Sequence, residues 1–352
     1  MITNYRSSAI SRLLFAVVFI FISAGLIAQE TSTCAEKLKT AQSFFDKGQV
    51  EQIPLLLKDC LKSGFKKEEE LTAYKLLIQT FLVSDKLAAA DSTMMEFLKK
   101  NPEYVLSPTD HSSFVYLYNN FVVKPVLQLG IHVGTNIPFL TFVTPNSVIG
   151  EQDVNNKYSR KIINLFIAVE SKFKITDKIE ANVEAGFSQL KFSSKTTVGT
   201  DIINYTESQQ RIEIPVTLSY SFKSFGKFTP YARIGGGAAV YMGVTSTASN
   251  SYTDRAINLN LTGENLSRKD SRVSLDFFAQ AAAGIKYKIS KGYLFGEVRT
   301  NWGIMDQKKQ GGQTVSVLEY YYKYSDPDFR INAVNINFGY SRTFYKPTKR
   351  KE

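Results

Sequence analysis

Two histidines, two cysteines and a recurring set of charged side chains are what this 352-residue chain has to offer chemistry. Hydrolysis or acyl transfer needs a histidine bonded to a nucleophile or an acid. His111 stands beside Asp110 at the start of a short helical stretch, where a solvated loop residue is the expectation. His132 lies on an alternating segment and is read as an interior hydrogen-bonding residue whose partner is Glu297 or Asp276. Cys34 and Cys60 lack the Cys-x-x-Cys spacing of a redox pair. Gly235-Gly236-Gly237 has no following Lys-Ser/Thr and opens no helix, so it is not a phosphate loop. Glycines in a strand mark close approach or curvature instead. No catalytic residue, metal-ligand set or cofactor is expected. What remains is charge that recurs on every second position.

The elements that must position those charges are strands. From Ile163 the apolar residues alternate as Ile163, Leu165, Ile167 and Val169, and later as Ile179, Ala181, Val183, Ala185 and Phe187. Between them stand Glu170, Lys172, Glu180, Asn182 and Glu184. Alternation over about 10 residues per strand is the length that crosses a bilayer at a tilt. No sandwich core accepts such charges unpaired. Eight strands are predicted: Val126–Asn136, Lys161–Ile175, Ile179–Phe192, Arg211–Phe222, Phe228–Met242, Val273–Ile289, Tyr293–Ile304 and Ile331–Phe344. Short turns follow the even-numbered strands and longer Asn/Ser/Thr/Gly-rich loops follow the odd ones, the pattern of outer-membrane barrels. The inward positions are then Gln128, His132, Glu170, Lys172, Glu180, Glu184, Arg211, Glu213, Arg233, Asp276, Gln280, Lys286, Glu297, Arg299, Asn335 and Asn337. An eight-stranded barrel is filled by its own side chains. A charge cluster of Glu170, Glu184, Arg211, Glu213, Arg233, Glu297 and Arg299 is therefore expected to plug it, with Arg233, Glu213 and Glu184 as neighbours and Lys172 reaching water.

Arg6 and Arg12 precede the apolar run Leu13–Ala28 and Gln29-Glu30 follows it, the layout of a secretory signal cut after Ala28. The formal net charge is +11. In an exported chain the expected counter-charge is anionic lipid headgroups or lipopolysaccharide phosphates rather than nucleic acid.

Residues from about Ala35 to Pro102 have helical periodicity. Tyr74, Leu77, Ile78, Phe81, Ala90, Met94, Phe97 and Pro102 fall at the spacings of the tetratricopeptide repeat, which this segment resembles. Ala41, Phe44, Gly48, Ile53, Leu57 and Cys60 form a looser first unit. Cys34 opens the first helix and Cys60 ends the second, so an antiparallel hairpin brings them together as a disulfide. Ser107-Pro108-Thr109 breaks the pattern, Asp110 is a candidate cap for a short helix through Asn119, and Lys124-Pro125 leads into the first strand.

The expected fold class is α+β multidomain: a small all-α helical-hairpin, tetratricopeptide-like domain followed by an eight-stranded antiparallel transmembrane β-barrel. Its parts are a signal peptide (1–28), a periplasmic helical domain (29–104), a linker with a short helix (105–124), the barrel (125–345) and a basic periplasmic tail (346–352). Strand number, loop alternation and the glycine/aromatic pattern resemble outer-membrane barrels of the OmpA/OmpX type, and more narrowly PorT-like proteins. The PorT-like resemblance implies association with protein secretion across the outer membrane. Outside the barrel, Ala232, Gly236 and Ala238 beside Ala279, Ala281 and Ala283 form a shallow trough that another protein or a lipid can approach. Tyr320-Tyr321-Tyr322-Lys323-Tyr324 and Arg268, Lys269 and Arg272 lie at the outer loops, as an aromatic belt or as lipopolysaccharide contacts. The functional expectation is a non-enzymatic platform in the Gram-negative outer membrane, with lipid, lipopolysaccharide and a periplasmic or envelope protein as partners. A narrow transport or lipid-handling barrel and a barrel-mouth lipid-modifying enzyme are the alternatives.

Overall fold

The computed structural model describes residues 28–144, 155–160, 164–198, 200–252, 260–309, 317–324 and 326–350. Apart from Ala28, the expected signal peptide lies outside these residues. The chain divides into two compact units: Pro125–Phe344, and the residues up to Lys124 joined by those from Tyr345 onward.

The smaller unit contains five described α-helices: α1 (Ala28–Asp46), α2 (Ile53–Lys62), α3 (Lys67–Val83), α4 (Leu87–Lys100) and α5 (Ser112–Asn119). Leu38 and Ala41 of α1, Ile53 and Leu57 of α2, and Ala73 and Leu76 of α3 share one apolar core. Tyr74 and Ile78 of α3, Ala90, Met94 and Phe97 of α4, and Phe114 and Leu117 of α5 share a second. The Phe97 ring lies 5.6 Å from Phe114 and 5.1 Å from Tyr104. The short helix is thus a packed member of the second core rather than part of a linker. Cys34 and Cys60 form a disulfide with their Cα atoms 5.7 Å apart. Gly64 lies against it with φ +134, where a side chain would also meet the Cys34 sulfur.

Asp110 does not cap α5. That role falls to His111, whose Nδ1 accepts the Ser113 amide. Asp110 turns inward and accepts from the Lys75 ammonium at 2.6 Å, the Tyr104 hydroxyl and the Ser107 amide. Burial pushes its pKa up, but these three donors outweigh burial and hold it below the ordinary carboxylate value. Lys75 is lowered by burial and raised more by Asp110 and Tyr104, so it ends above its ordinary value. The described part of the basic tail, residues 346–350, is tied down. Tyr345 donates to Glu103 at 2.8 Å, Lys349 bridges Asp91 at 2.6 Å, and the Arg350 amide donates to the Asn120 carbonyl at 2.8 Å.

The larger unit is an antiparallel sheet of ten described strands: β1 (Phe121–Thr144), β2 (Asn155–Arg160), β3 (Leu165–Lys174), β4 (Ile179–Val198), β5 (Asp201–Ser221), β6 (Phe228–Tyr252), β7 (Asn260–Ser267), β8 (Leu275–Ile289), β9 (Gly292–Gly303) and β10 (Asp328–Lys349). Eight of them close a ring in the order β4-β3-β1-β10-β9-β8-β6-β5, with β5 back against β4. The other two, β2 and β7, extend the loop end on β4 and β6.

Several strands outrun the sequence expectation. In the sequence reading the loop after the third predicted strand covers 193–210. Instead β4 and β5 stay paired up to Val198 and Asp201, with only residues 199 and 200 between them. Thr196, Thr197, Ile202, Ile203 and Tyr205 explain this, because β-branched and aromatic residues suit a pleated surface even where the sequence is polar. On β6 the strand also continues past Met242. A register shift where Gln210 and Arg211 face Gly243 and Tyr241 adds one residue and reverses the alternation beyond it. Ala239 faces inward before the bulge, and Val244, Ser246, Ala248 and Asn250 after it. Close approach explains the triple glycine. A Cβ on Gly237 would stand 2.6 Å from the Pro215 Cα.

Two outcomes test the helical unit. Cys60→Ser removes the closure of a 26-residue separation and should destabilise the unit by about 3 kcal/mol, read as a lower thermal midpoint. Asp110→Asn should destabilise the unit at pH 7 by about 1–3 kcal/mol, read again as a lower thermal midpoint. A depressed carboxylate stabilises above its unfolded pKa, so this difference should shrink as the pH falls below about 4.

Candidate functional site in the barrel interior

All sixteen inward positions of the sequence reading are buried, none more than 8% exposed. They arrange in tiers from the turn end to the loop end. In the first tier, the Tyr293 hydroxyl donates to Gln128 at 2.8 Å and accepts from the Lys172 ammonium at 2.9 Å. Lys286 donates to Glu180 at 2.7 Å, which also accepts from Gln128 at 3.1 Å.

The second tier is set by an awkward pairing. Glu170 on β3 and Glu184 on β4 stand directly opposite one another in register, and like charges so placed repel. Arg233 from β6 resolves this: one guanidinium nitrogen donates to Glu184, and the other lies 3.4 Å from both Glu170 and Glu297. Arg299 from β9 donates to Glu184 at 2.9 Å and to Glu297 at 2.9 Å, and Lys172 bridges Glu170 at 2.6 Å. Tyr231 donates its hydroxyl to Glu297 at 2.9 Å. Three carboxylates thus face three cations. Ala282 lies between the two arginines in register, paired with Arg233 on one side and Arg299 on the other, and its small side chain leaves room for both guanidiniums.

This tier departs from the expected cluster in three ways. Glu213 does not join Arg233; it pairs with Arg211 at 2.8 Å and accepts from Asn301 at 3.4 Å, one tier further up. Lys172 does not reach water and is 1% exposed. His132 meets neither Glu297 nor Asp276; its Nε2 lies 3.4 Å from Glu184, and its ring packs between Phe166 and Phe295. Asp276 instead accepts from the Met305 amide at 3.2 Å and from Gln307 at 3.0 Å.

The donor atoms of His132, Glu170 and Glu184 lie within 4.8 Å of one another, a set that suits a divalent cation by type. Both carboxylates, however, already face Arg233, and Glu184 accepts from Arg299 as well. A cation would have to displace guanidiniums.

Toward the loop end the interior holds features the sequence reading missed. Arg272 donates to Glu207 and Asp326 together and lies over the Phe329 ring, 4.9 Å from its centroid. Glu207 also accepts from Gln209 at 2.7 Å and from the Tyr205 hydroxyl, and Arg268 donates to Asp326. Arg268 and Arg272 are therefore buried ion-pair residues rather than outer-surface contacts, whereas Lys269 is exposed. Around them Leu190, Phe192, Ile203, Phe329, Ile331 and Ala333 form an apolar core with Leu318 of the short helix α6 (Val317–Tyr322). Tyr205 and Tyr324 stack at 4.0 Å, while Tyr320 and Tyr321 are exposed. Glu207 and Gln209 share inward parity with Arg211 and Glu213, so carrying the alternation past Arg211 would have found them.

On the outer face, Ala232 opposes Ala283 and Gly236 opposes Ala279. Between these pairs Ile234 opposes Ala281 and is 69% exposed, so the expected trough is divided by a ridge.

Removing Arg233 leaves three carboxylates short of a partner, whereas removing Arg211 leaves one. Arg233→Ala should destabilise the folded sheet by about 3–5 kcal/mol, and by more than Arg211→Ala. The check is the heating temperature at which the folded band is lost on cold gels; equal losses would mean that water, rather than Arg233, satisfies Glu170 and Glu297.

Residues 125–309 match the profile of a family described as an outer membrane protein beta-barrel domain. No curated protein matches the chain. Among solved structures, Neisserial surface protein A is 8% identical with a TM-score of 0.32, covering 63% of this chain and 99% of its own. OprG from Pseudomonas aeruginosa is 9% identical with a TM-score of 0.32, covering 64% and 98%. The outer membrane protease OmpT from Escherichia coli is 9% identical with a TM-score of 0.26, covering 63% and 98%.

Proposed function

The chain belongs to the outer membrane protein β-barrel domain family, and from that premise we propose that it is a non-enzymatic platform anchored in the Gram-negative outer membrane. In this reading the barrel spans the bilayer, and the helical unit, tetratricopeptide-like in its residue pattern, stands in the periplasm and binds an envelope protein. A part in secretion or outer-membrane assembly rests on the PorT-like resemblance alone.

The observation that carries the reading is the use of the interior. Its charges are spent on one another in tiers, and an apolar core with stacked tyrosines fills the loop end. That leaves the lumen to hold the wall together. The outer face supports the anchor. Leu129, Ile131, Val169, Val216, Leu218, Val298 and Phe338 are exposed at every second position around the ring, a belt that water would not tolerate and lipid would. An even strand number returns both ends of the sheet to the turn end, so both termini are assigned to the periplasm. The helical unit exposes large apolar side chains of its own: Leu55, Val83, Leu87, Val105 and Tyr116. Scattered apolar residues are ordinary, but five on so small a unit fit a protein-binding surface.

Deleting the helices up to Asn101 would cut through the core that α4 shares with α5. Surface substitution in the full chain is the cleaner test. Leu55→Glu with Leu87→Glu should leave the heat-resistant folded band unchanged and abolish co-purification of the envelope protein recovered with the wild type in mild detergent. Unchanged recovery, or a steady ion conductance of the wild type in planar bilayers, would defeat the platform reading.

A further inference from the structure

The outer face of β4, β5 and β6 changes character at one row. Phe187 stands opposite Ile212, and Ile212 opposite Val240, as the last regular row of the apolar belt. Apart from Met242 at the bulge, the rows that follow toward the loop end are polar. They run Gln189–Gln210, Lys191–Ser208–Thr245, Ser193–Thr206–Thr247 and Lys195–Asn204–Ser249. Leu190, Phe192, Tyr205 and Ala248, at the alternate positions, are buried on the inner face. Lys195 is exposed and Lys191 half-buried.

These rows carry positive charge and no acid to meet it. Across Gln189–Thr197, Ile202–Gln210 and Gly243–Ser251 the one acid is Glu207, which is buried on the inner face against Arg272. The residue opposite Lys195 on the other side, in β2, is again a lysine, Lys157. Opposed residues of like charge cost stability. Between the lysines the face is made of hydroxyls and amides. The Ser193 and Thr206 hydroxyls lie 2.8 Å apart, and Asn204 donates to Ser249 at 3.4 Å.

We propose that this face holds the phosphorylated sugar headgroup of lipopolysaccharide, with Lys191 and Lys195 on its phosphates and the hydroxyl rows against its sugars. The apolar belt directly below takes acyl chains, so the ligand is an amphiphile rather than a free phosphate. Lys191 and Lys195 stand on the same face of one strand, about 13 Å apart along it. That span suits a disaccharide phosphorylated at both ends better than the single phosphate of a phospholipid. The hydroxyl and amide rows offer hydrogen bonds that a sugar can return. The inference rests on the bilayer-spanning reading above, which assigns the loop end to the outer leaflet. It also moves the contact, because Arg268 and Arg272, expected at that surface, are buried.

The test uses the full-length protein in mild detergent, with bound lipid counted by native mass spectrometry. The probes are bis-phosphorylated lipid A, lipid A stripped of its phosphates, and phosphatidylglycerol. The wild type should bind lipid A at least about fivefold more tightly than either of the others. That preference should shrink toward parity at roughly 1 M salt, where the Debye length is about 3 Å. Lys191→Gln with Lys195→Gln should lose the preference and keep the heat-resistant folded band, while Lys178→Gln with Lys223→Gln at the turn end should keep both. The dephosphorylated and salt arms need no variant, so they decide even if the double substitution does not fold. Equal binding of dephosphorylated lipid A, or an unchanged preference in the Lys191/Lys195 variant, overturns the site. Phosphatidylglycerol bound as tightly as lipid A overturns lipopolysaccharide as its ligand. Flotation of the wild type with phosphatidylcholine vesicles checks the premise separately: protein that does not float overturns the bilayer-spanning reading itself.

Discussion

An ionised carboxylate inside a closed sheet must be met by a cation, because water there is scarce and the Born penalty is otherwise prohibitive. Much of this barrel follows from that single demand. Glu170 and Glu184 oppose each other across β3 and β4, a pairing that neither strand can relieve locally. Relief comes from β6 and β9, through Arg233 and Arg299, so the ring must be closed for the tier to exist at all. Ala282 has to stay small for both guanidiniums to fit. The ion pairs are therefore conditions on topology and register more than sources of net stability. A slip of one residue would send the whole charged set to the outer face.

Two physical regimes share the interior. Near the turns it is polar and balanced, tier by tier. Near the loops it becomes apolar, with Leu190, Phe192, Ile203 and Phe329 in the same inward phase that Glu184 and Arg211 occupy below. Arg272 sits at the junction: its guanidinium edge serves Glu207 and Asp326, and its face lies on Phe329. Planarity lets one side chain satisfy both regimes, which a lysine there would not do.

The sequence announced the lower regime almost completely, because charge at period two cannot be read as anything but a polar inner face. All the inward residues were legible from that pattern, but their partners were not. Which carboxylate Arg233 meets depends on stagger between non-adjacent strands, and alternation within a strand carries no information about stagger. Hence Glu213 was placed with Arg233 when it pairs with Arg211, and His132 was placed with the wrong acid. The upper regime was missed for a different reason. From Ser193 to Gln210 the residues are mostly polar, and polarity resembles a loop unless the β-branched content is weighed. On β6 the bulge near Met242 reversed the phase, so even a patient count would have put Asn250 on the wrong face. In the helical unit, spacing found the hairpins and the disulfide pair. That α5 belonged to the second core was hidden, because eight residues are too few for periodicity to speak.

An interior so occupied shifts attention to the surfaces. Where every tier of fixed charge has its counter-charge beside it, a passing ion would have to compete with guanidiniums already in contact with their carboxylates. The outer face answers a different demand, with Leu129, Ile131, Val169 and Val298 exposed where the interior carries charge. A barrel wall needs only the alternation, the closed ring and the paired interior.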